Sequence, residues 1–313
     1  MNNLGYKIKS VVIGHAVGDA LGVPVEFCFR NELDQQPVKD MMGYGTYPVP
    51  AGAWSDDTSM ALAALDGLAI GKVDYHLIMD NFARWACLDE YTPTGEMFDI
   101  GHSCYDAIKR YLESDRSDAL GCGGRGEREN GNGSLMRIHP FSLYTWFNKE
   151  DCEAVIDNAS ALTHAHDRSK LACRIYTNIL HYLLEEPSQY SVKSALCMAK
   201  CKYIGHTEYS HFKRLFSDDF DKLPREEIKS SGYVVDTLEA AIWCLLTTDN
   251  YRDCVLKAVN LGEDTDTTAA VAGGLAGALY GYDAIPVHFR NALIKREYIE
   301  DICEKASVAW SKG

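Results

Sequence analysis

The stretch that decides the fold is Gly262-Glu263-Asp264-Thr265-Asp266-Thr267-Thr268, which precedes a run of small apolar residues at 269–280. A second stretch, Trp54-Ser55-Asp56-Asp57-Thr58, precedes the apolar run 60–70. Ser, Thr and Asp are preferred helix N-caps, and acidic side chains suit the positive end of the helix dipole. Both stretches therefore predict the start of a helix.

The density of carboxylates and hydroxyls in these two stretches exceeds what a helix cap requires. A cap needs one oxygen, so a single stretch of this kind is typical of an ordinary helix start. Crowded carboxylates repel one another unless protons or a cation neutralise them. Hard divalent cations such as Mg²⁺ and Mn²⁺ prefer carboxylate and hydroxyl oxygens. Two such stretches, far apart in the chain, predict an oxygen-only metal site assembled by the fold, with Glu26 as a third acidic candidate.

Helical periodicity dominates the rest of the chain, for example in 74–88, where apolar residues recur at helical spacing. Because the sequence shows no convincing run of alternating strands, we predict an all-α chain that folds as a single domain over residues 1–313. The predicted helices are 7–21, 57–70, 74–88, 106–112, 135–146, 151–162, 170–184, 192–203, 234–246, 251–261, 268–280 and a tail from residue 286.

The composition argues against several classes of protein. Of the 313 residues, 46% are hydrophobic, which allows a large core, and the formal net charge is −14 with a pI near 5.1. An acidic chain is not expected to bind nucleic acid or membrane surfaces in general, because both need a basic face. The apolar run 269–280 is too short to span a bilayer, and the first apolar stretch, 11–17, is not typical of a secretory signal.

The cysteines indicate the compartment. There are eleven, an odd number, and they include no C-x-x-C pair, so a zinc ribbon or a redox dithiol is not expected. Scattered thiols of this kind are typical of free, mostly buried cysteines in a reducing compartment. We therefore expect a cytoplasmic protein.

A glycine-rich segment, 121–133, leads into Ser134-Leu135-Met136-Arg137 and a predicted helix. Glycines let backbone N–H groups approach an anion, and a helix N-terminus favours negative charge. We expect 130–134 to contact a ligand, whereas 121–126 is more typical of a surface loop. The turn 164–167, with two histidines and an aspartate, fits a soft-metal site, an anion or ribose contact, or a plain polar turn. The polar segment 216–232 is predicted to be a loop within the domain.

Seven stretches in this order resemble the ADP-ribosylglycohydrolase family, which includes the dinitrogenase reductase-activating glycohydrolases and the ADP-ribosyl-acceptor hydrolases. Any one stretch is a weak signal, but all seven in order are specific, and together they extend over nearly the whole chain. They are 14–27, 55–58, 98–101, 131–137, 163–164, 232–241 and 264–267.

The resemblance implies a compact multi-helix orthogonal bundle that holds two divalent cations, Mg²⁺ or Mn²⁺. It also implies that Glu26, or a metal-bridging aspartate such as Asp57 or Asp266, accepts the proton during catalysis. The implied metal ligands are Ser55, Asp56, Asp57, Asp264, Asp266 and Thr267. The implied substrate contacts are Asn132, Gly133, Ser134 and His164, with Asp99 and Tyr233 on the acceptor side.

Two departures from the family pattern matter. Ser55 stands where the family usually has threonine, and because the hydroxyl is retained we expect metal binding to be retained. Glu263 stands where glycine is common, and its carboxylate could alter the metal preference or point to solvent.

The implied reaction is hydrolysis of the N-glycosidic bond between ADP-ribose and a protein arginine, with ADP-ribose as product. Cleavage of a ribosyl bond passes through an oxocarbenium-like state, and two cations would orient the ribose hydroxyls and lower the pKa of a bound water. The Asp99 carboxylate would suit a guanidinium. The alternatives are an O-linked acceptor such as ADP-ribosyl-serine, a small ADP-ribose derivative, a non-catalytic ADP-ribose-binding protein, and an immunity protein against an ADP-ribosylating toxin.

Overall fold

The computed structural model describes residues 3–149 and 151–311, and within these ranges the chain is helical, without strands. This confirms the predicted all-α class. The α-helices are α1 (Asn3–Gly22), α2 (Arg30–Gln35), α3 (Asp56–Leu68), α4 (Tyr75–Leu88), α5 (His102–Glu113), α6 (His139–Asn148), α7 (Cys152–Ala161), α8 (Asp167–Glu185), α9 (Gln189–Tyr203), α10 (Val234–Leu246), α11 (Tyr251–Val259), α12 (Thr265–Tyr280), α13 (Val287–Ala292) and α14 (Arg296–Trp310).

Helices α1 and α12 pack in close contact. A Cβ atom added to Gly18 would lie 2.0 Å from the carbonyl oxygen of Ala269, and one added to Gly14 would lie 2.5 Å from that of Gly273. Only glycine permits backbones to approach this closely. The close approach brings the carboxyl-terminal half of α1 beside the start of α12.

Helix α3 is buried on nearly all of its faces, with Asp66 as the partly exposed exception. A helix that is buried all round belongs to the interior of a large core. That core includes residues from Leu4 in α1 to Trp310 in α14. A small second cluster, formed by Val23, Val49 and Ala53, lies where the chain leaves α1 and approaches α3.

Most predicted helices agree with the structure to within a few residues. Helix α10 has its predicted bounds, α12 begins three residues earlier than predicted, and the tail from residue 286 divides into α13 and α14. The predicted loop 216–232 contains two short 3-10 helices, Phe220–Lys222 and Arg225–Glu227. Helix α2 was not predicted, because six residues are too few to show a helical period.

The prediction that a helix begins at residue 135 is wrong. Residues 133–137 form turns, and α6 begins at His139, which is followed by Pro140. Proline is favoured in the first turn of a helix because it has no N–H group to leave unpaired. The segment 130–134 therefore does not adjoin a helix N-terminus, so no helix dipole favours an anion there.

One helical window, Leu4–Val25, is long and apolar enough to cross a membrane by length and composition, and 89% of it is buried inside the protein. A core helix of a globular protein meets the same criteria. The window is not an uninterrupted apolar run, because it contains Lys7, Lys9 and Asp19.

Candidate active site

The start of α3 is held by a carboxylate from α1. Asp19 accepts hydrogen bonds from the Ser55 N–H at 3.0 Å, and from the N–H and hydroxyl of Thr58 at 3.0 and 2.6 Å. The Ser55 hydroxyl in turn accepts the Asp57 N–H at 3.3 Å. Burial raises the pKa of Asp19 to about 6. These bonds satisfy N–H groups that a helix start leaves free, and they fix the backbone from which Asp56 and Asp57 project.

The start of α12 meets the start of α3. The hydroxyls of Thr267 and Ser55 donate to the same oxygen, Asp57 Oδ2, at 3.3 and 3.2 Å. The Thr267 N–H donates to Asp266 Oδ1 at 2.9 Å. Asp264 occupies the N-cap position of α12, and among the described residues its side chain makes no capping bond. The two acidic stretches therefore form one cluster, as their composition predicted.

The carboxylates of this cluster are buried and only partly paired. Oxygens of Asp19, Asp57 and Asp266 lie within 4.8 Å of one another, and so do oxygens of Glu26, Asp264 and Asp266. Within residues 3–149 and 151–311, Asp57 Oδ1, Asp264 Oδ1 and Glu26 Oε2 are buried without a hydrogen-bond partner. Burial, and then repulsion between the carboxylates, raises the pKa of Asp57 and Asp266 well above the usual range. Unpaired oxygens held this close fit a hard divalent cation, which would neutralise them.

Two more carboxylates lie beside the cluster. Burial and repulsion from Asp99 raise the pKa of Glu26 to about 9, and burial and repulsion from Asp264 raise the pKa of Asp99. The Tyr47 hydroxyl interacts with both carboxylates and lowers the pKa of each. Its ring packs against Phe98, with ring centroids 5.1 Å apart. Glu26 and Asp99 thus form a pair that shares one tyrosine.

The start of α5 forms part of the same cleft. Asp56 Oδ2 accepts the Gly101 N–H at 3.3 Å, and His102, Ser103 and Cys104 line the cleft. Gly101 is the N-cap and has no side chain to pair the first N–H groups of this helix. The cleft therefore contains the start of α5 as well as those of α3 and α12. The first turn of α5 has no acidic residue, and such a helix start favours a negatively charged ligand.

The wall of the cleft that adjoins Asp264 is neutral. The Asn132 side chain donates to Asp264 Oδ2 at 2.8 Å, and the Asn132 N–H donates to the Gly232 carbonyl at 3.0 Å. Burial lowers the pKa of His164 to about 3, so its imidazole is neutral. A Cβ atom at Gly133 would lie 2.8 Å from His164 Cε1, so the backbone passes directly over the ring. This wall presents amide groups and an imidazole, which suit an uncharged or anionic ligand.

The fold and the cleft can now be compared with known proteins. The family described as ADP-ribosylglycohydrolase matches residues 2–312. The chain belongs to the ADP-ribosylglycohydrolase family. This confirms the resemblance drawn from the seven stretches, and it supports hydrolase activity.

Individual relatives extend the comparison. The ADP-ribosylarginine hydrolase Tri1 of Serratia proteamaculans (strain 568) is 35% identical over 96% of this chain and 78% of its own length. The ADP-ribosyl-[dinitrogen reductase] glycohydrolase of Rhodospirillum rubrum is 33% identical over 88% of this chain and 85% of its own length. A solved structure described as an ADP-ribosylglycohydrolase-related protein complex is 28% identical, with a TM-score of 0.83 over 99% of this chain and 100% of that chain.

The structure brings most of the predicted site residues of this family member into one place. Ser55, Asp57 and Asp266 lie in the acidic cluster itself. The predicted residues that line the cleft are Glu26, Asp56, Asp99, Asn132, Gly133, His164, Asp264 and Thr267.

Two predicted substrate contacts lie elsewhere. Ser134 is fully buried, where its hydroxyl accepts from Ser160 at 3.0 Å and lies 3.5 Å from Cys173 Sγ. It packs behind the cleft because the turn at 133–137 directs it into the core. Tyr233 lies at the edge of the cleft, with its backbone bridged to Gly131 and its ring 5.9 Å from the Arg168 guanidinium.

The predicted site residues did not include Asp19, Tyr47 or the start of α5 at 101–104. A carboxylate inside the apolar run of α1 was itself a signal, because a buried charge requires partners. Tyr47 lies in the loop that precedes α3, where its sequence neighbours give no sign of its contacts.

The structure narrows the alternatives left open for the turn that contains His164 and His166 and for the side chain of Glu263. His166 is the N-cap of α8, where its Nδ1 accepts the Arg168 N–H at 3.1 Å, whereas His164 of the same turn lines the cleft. In the part of the chain that the structure describes, the carboxylate groups that could hold a metal include no histidine. Glu263 is exposed, which agrees with the alternative in which its side chain points to solvent.

Proposed function

We propose that this protein hydrolyses the N-glycosidic bond that joins ADP-ribose to arginine side chains of proteins, with two divalent cations as cofactors. The observation that carries the proposal is the meeting of the α3 and α12 starts beside the Glu26–Asp99 pair. The names of the Serratia and Rhodospirillum relatives, both ADP-ribosyl hydrolases, support the same chemistry.

The acidic cluster would hold the cations. Six side chains are assigned to this role: Ser55, Asp56, Asp57, Asp264, Asp266 and Thr267. When bound, Mg²⁺ or Mn²⁺ would supply the positive charge that orients the ribose hydroxyls and makes a water molecule more acidic. The unpaired oxygens of Asp57 and Asp264 support this assignment, because without a cation their burial is costly.

Glu26 is assigned the role of general base, with Asp57 and Asp266 as the other candidates. Its Oε2 atom is buried without a partner among the described residues, and bound cations would lower its pKa so that the carboxylate could accept a proton from water. The water oxygen then bonds to the anomeric carbon of the ribose as the bond to the arginine nitrogen breaks. That nitrogen takes the proton that Glu26 accepted from the water, and the guanidine leaves as a guanidinium ion.

Asp99 is assigned to the arginine acceptor. Its carboxylate lies against Glu26, where the bond to the acceptor would break, and a carboxylate can pair with a guanidinium through two hydrogen bonds. Asn132, Gly133 and His164 form the neutral wall that would receive the ADP-ribose, and the start of α5 would face its phosphates.

We also propose that the chain is a single domain that functions in the cytoplasm. The shared core from Leu4 to Trp310 supports one domain. All eleven cysteines are free, which agrees with a reducing compartment.

The test is turnover of an arginine-ADP-ribosylated protein beside a serine-ADP-ribosylated peptide, with Mg²⁺, with Mn²⁺ and with chelator. We expect release of ADP-ribose from the arginine substrate that depends on the cation. Release from the serine peptide alone would replace the proposed acceptor. Binding of ADP-ribose without turnover of either substrate would instead favour a non-catalytic binding protein.

The variant Asp99→Ala tests recognition of the arginine acceptor separately from binding of ADP-ribose. Loss of a hydrogen bond to a charged group costs about 1.5–3 kcal/mol, so we expect kcat/KM for the arginine substrate to fall about 10- to 100-fold. Affinity for free ADP-ribose, measured by calorimetry, should remain within about twofold, because the product has no guanidinium. Equal losses for substrate and product would contradict the assignment of Asp99.

A further inference from the structure

Three aromatic side chains near the cleft are exposed to solvent. Phe27, Phe29 and Tyr44 are 64%, 67% and 74% exposed, and we call them the aromatic rim. Large exposed apolar side chains that occur singly need no explanation, but a group of them marks an interaction site. The rim residues belong to two short segments, one on each side of α2 in the sequence.

Two of the three rim residues are held in strained backbone conformations. Phe27 has φ 65° and Tyr44 has φ 57°, the left-handed region that bulky residues rarely adopt. The Phe27 N–H donates to the Glu263 carbonyl at 2.7 Å, and the Tyr44 N–H donates to the Val49 carbonyl at 2.8 Å. Such conformations cost free energy and persist where the surroundings enforce them. An exposed ring gains nothing from burial that would offset this cost, so the strain indicates a role in binding.

The two segments of the rim are joined to each other at Glu26. The Thr46 N–H donates to the Pro24 carbonyl at 2.9 Å, and the Thr46 hydroxyl donates to the Glu26 carbonyl at 2.7 Å. Phe27 follows Glu26 directly, and Tyr47 interacts with both Glu26 and Asp99. The rim therefore begins at the part of the cleft that holds Glu26 and Asp99.

We propose that the aromatic rim binds the polypeptide of the acceptor protein on either side of the modified arginine. This inference rests on the proposed function. With ADP-ribose against the neutral wall and the guanidine at Asp99, the rest of the acceptor lies outside the cleft beside Glu26. Aromatic rings are suited to this occupant, because they contact peptide groups and aliphatic side chains of varied sequence at little entropic cost.

The test compares two substrates that share the bond to be broken. One is a protein ADP-ribosylated on arginine, and the other is free ADP-ribosyl-arginine, which has no polypeptide. The variant is the double substitution Phe27→Asn and Tyr44→Asn. Asparagine tolerates the left-handed conformation, so the rings are removed while the backbone strain is relieved.

We expect kcat/KM for the protein substrate to fall about tenfold or more, mainly through KM, as for loss of aromatic anchors from an interface. Turnover of free ADP-ribosyl-arginine should stay within about twofold. The matched control is Tyr190→Asn on α9, which removes a ring that is 76% exposed beside Trp146 and Tyr182, and it should change neither substrate.

Three outcomes would contradict the proposal that the aromatic rim binds the acceptor polypeptide. An unchanged kcat/KM for the protein substrate would show that the rings do not bind the polypeptide. An equal loss of kcat/KM for both substrates would show that the rings act on the reaction itself. If the wild-type protein cleaves neither substrate, the proposed function fails and the rim fails with it. The first two outcomes leave the proposed function intact.

Discussion

The two walls of the cleft differ in how their polar groups are paired. We call the side formed by the acidic cluster the acidic wall, and the side formed by Asn132, Gly133 and His164 is the neutral wall. On the acidic wall, Asp57 and Asp264 each retain a buried oxygen without a partner in the described residues. On the neutral wall, Asn132 bonds to Asp264 and Gly232, and Thr163 pairs with His164 Nδ1 at 2.8 Å. The acidic wall therefore has buried oxygens that could hold a cation, whereas the polar groups of the neutral wall are already paired with one another or with neighbouring residues.

The largest expected effect is on the acidic wall. In Asp56→Ala or Asp266→Ala, loss of a cation ligand should lower kcat by about 10²–10³-fold or more, as for other electrostatic groups at a reacting centre. Helical content by circular dichroism should be unchanged. Asp66→Ala, further along α3, is the control and should keep full activity. Full activity in either cluster variant would show that the acidic wall is only a pair of helix caps.

The neutral wall is tested by Gly133→Ala. A Cβ atom there would lie 2.8 Å from both Cys104 Sγ and His164 Cε1, so the wall must shift. Overpacking of this kind costs about 1–3 kcal/mol, and we expect affinity for ADP-ribose to fall about tenfold or more. Binding of Mn²⁺, measured by calorimetry, should be retained, because the acidic wall is untouched. A parallel loss of Mn²⁺ binding would show that the two walls are not independent.

The pH dependence of stability, measured with EDTA present to remove cations, is a further test of the difference between the two walls. Asp19 and Glu26, with folded pKa values of about 6 and about 9, add stability while protonated and lose it as pH rises through those values. His164, with a folded pKa of about 3, acts in the opposite direction and lowers stability only below about pH 6.5.

In EDTA, Tm should therefore fall by a few °C between pH 6.5 and pH 9, equivalent to about 1 kcal/mol or more. Mn²⁺ should remove most of this fall, because a cation replaces the protons. The measurement is differential scanning calorimetry at both pH values. An equal Tm in EDTA at both would contradict the unpaired acidic wall.

The smallest expected effect concerns Tyr47, which joins Glu26 to Asp99. In Tyr47→Phe, loss of the hydroxyl should raise the pKa of both carboxylates and move the acid limb of the pH–rate profile to higher pH. At neutral pH kcat should fall about 3- to 10-fold. Tyr91→Phe is a matched control, because Tyr91 bonds to Asp66 at 2.8 Å outside the cleft. A profile with an unchanged acid limb would show that the Tyr47 hydroxyl does not influence the carboxylates of the site.

Features set by residues close together in the sequence were predicted more accurately than features that depend on the surrounding fold. Helix α10 was predicted with its bounds because thirteen residues of strong periodicity define it locally. The start of α6 was misplaced because apolar residues at positions 135, 136 and 138 continue the helical pattern through a turn. The burial of Ser134 followed from the same turn and could not be read from its neighbours.

The sequence by itself determined the helices and the positions of the carboxylates along the chain. Helical period and N-cap chemistry act over a few residues, so they can be read without the fold. Only the tertiary structure decided which carboxylates meet, because that depends on Gly14 and Gly18 letting α1 approach α12. The partnership of Asp19 with the start of α3, and of Tyr47 with Glu26 and Asp99, likewise arises from contacts between segments that are distant in sequence or lie in loops without periodicity.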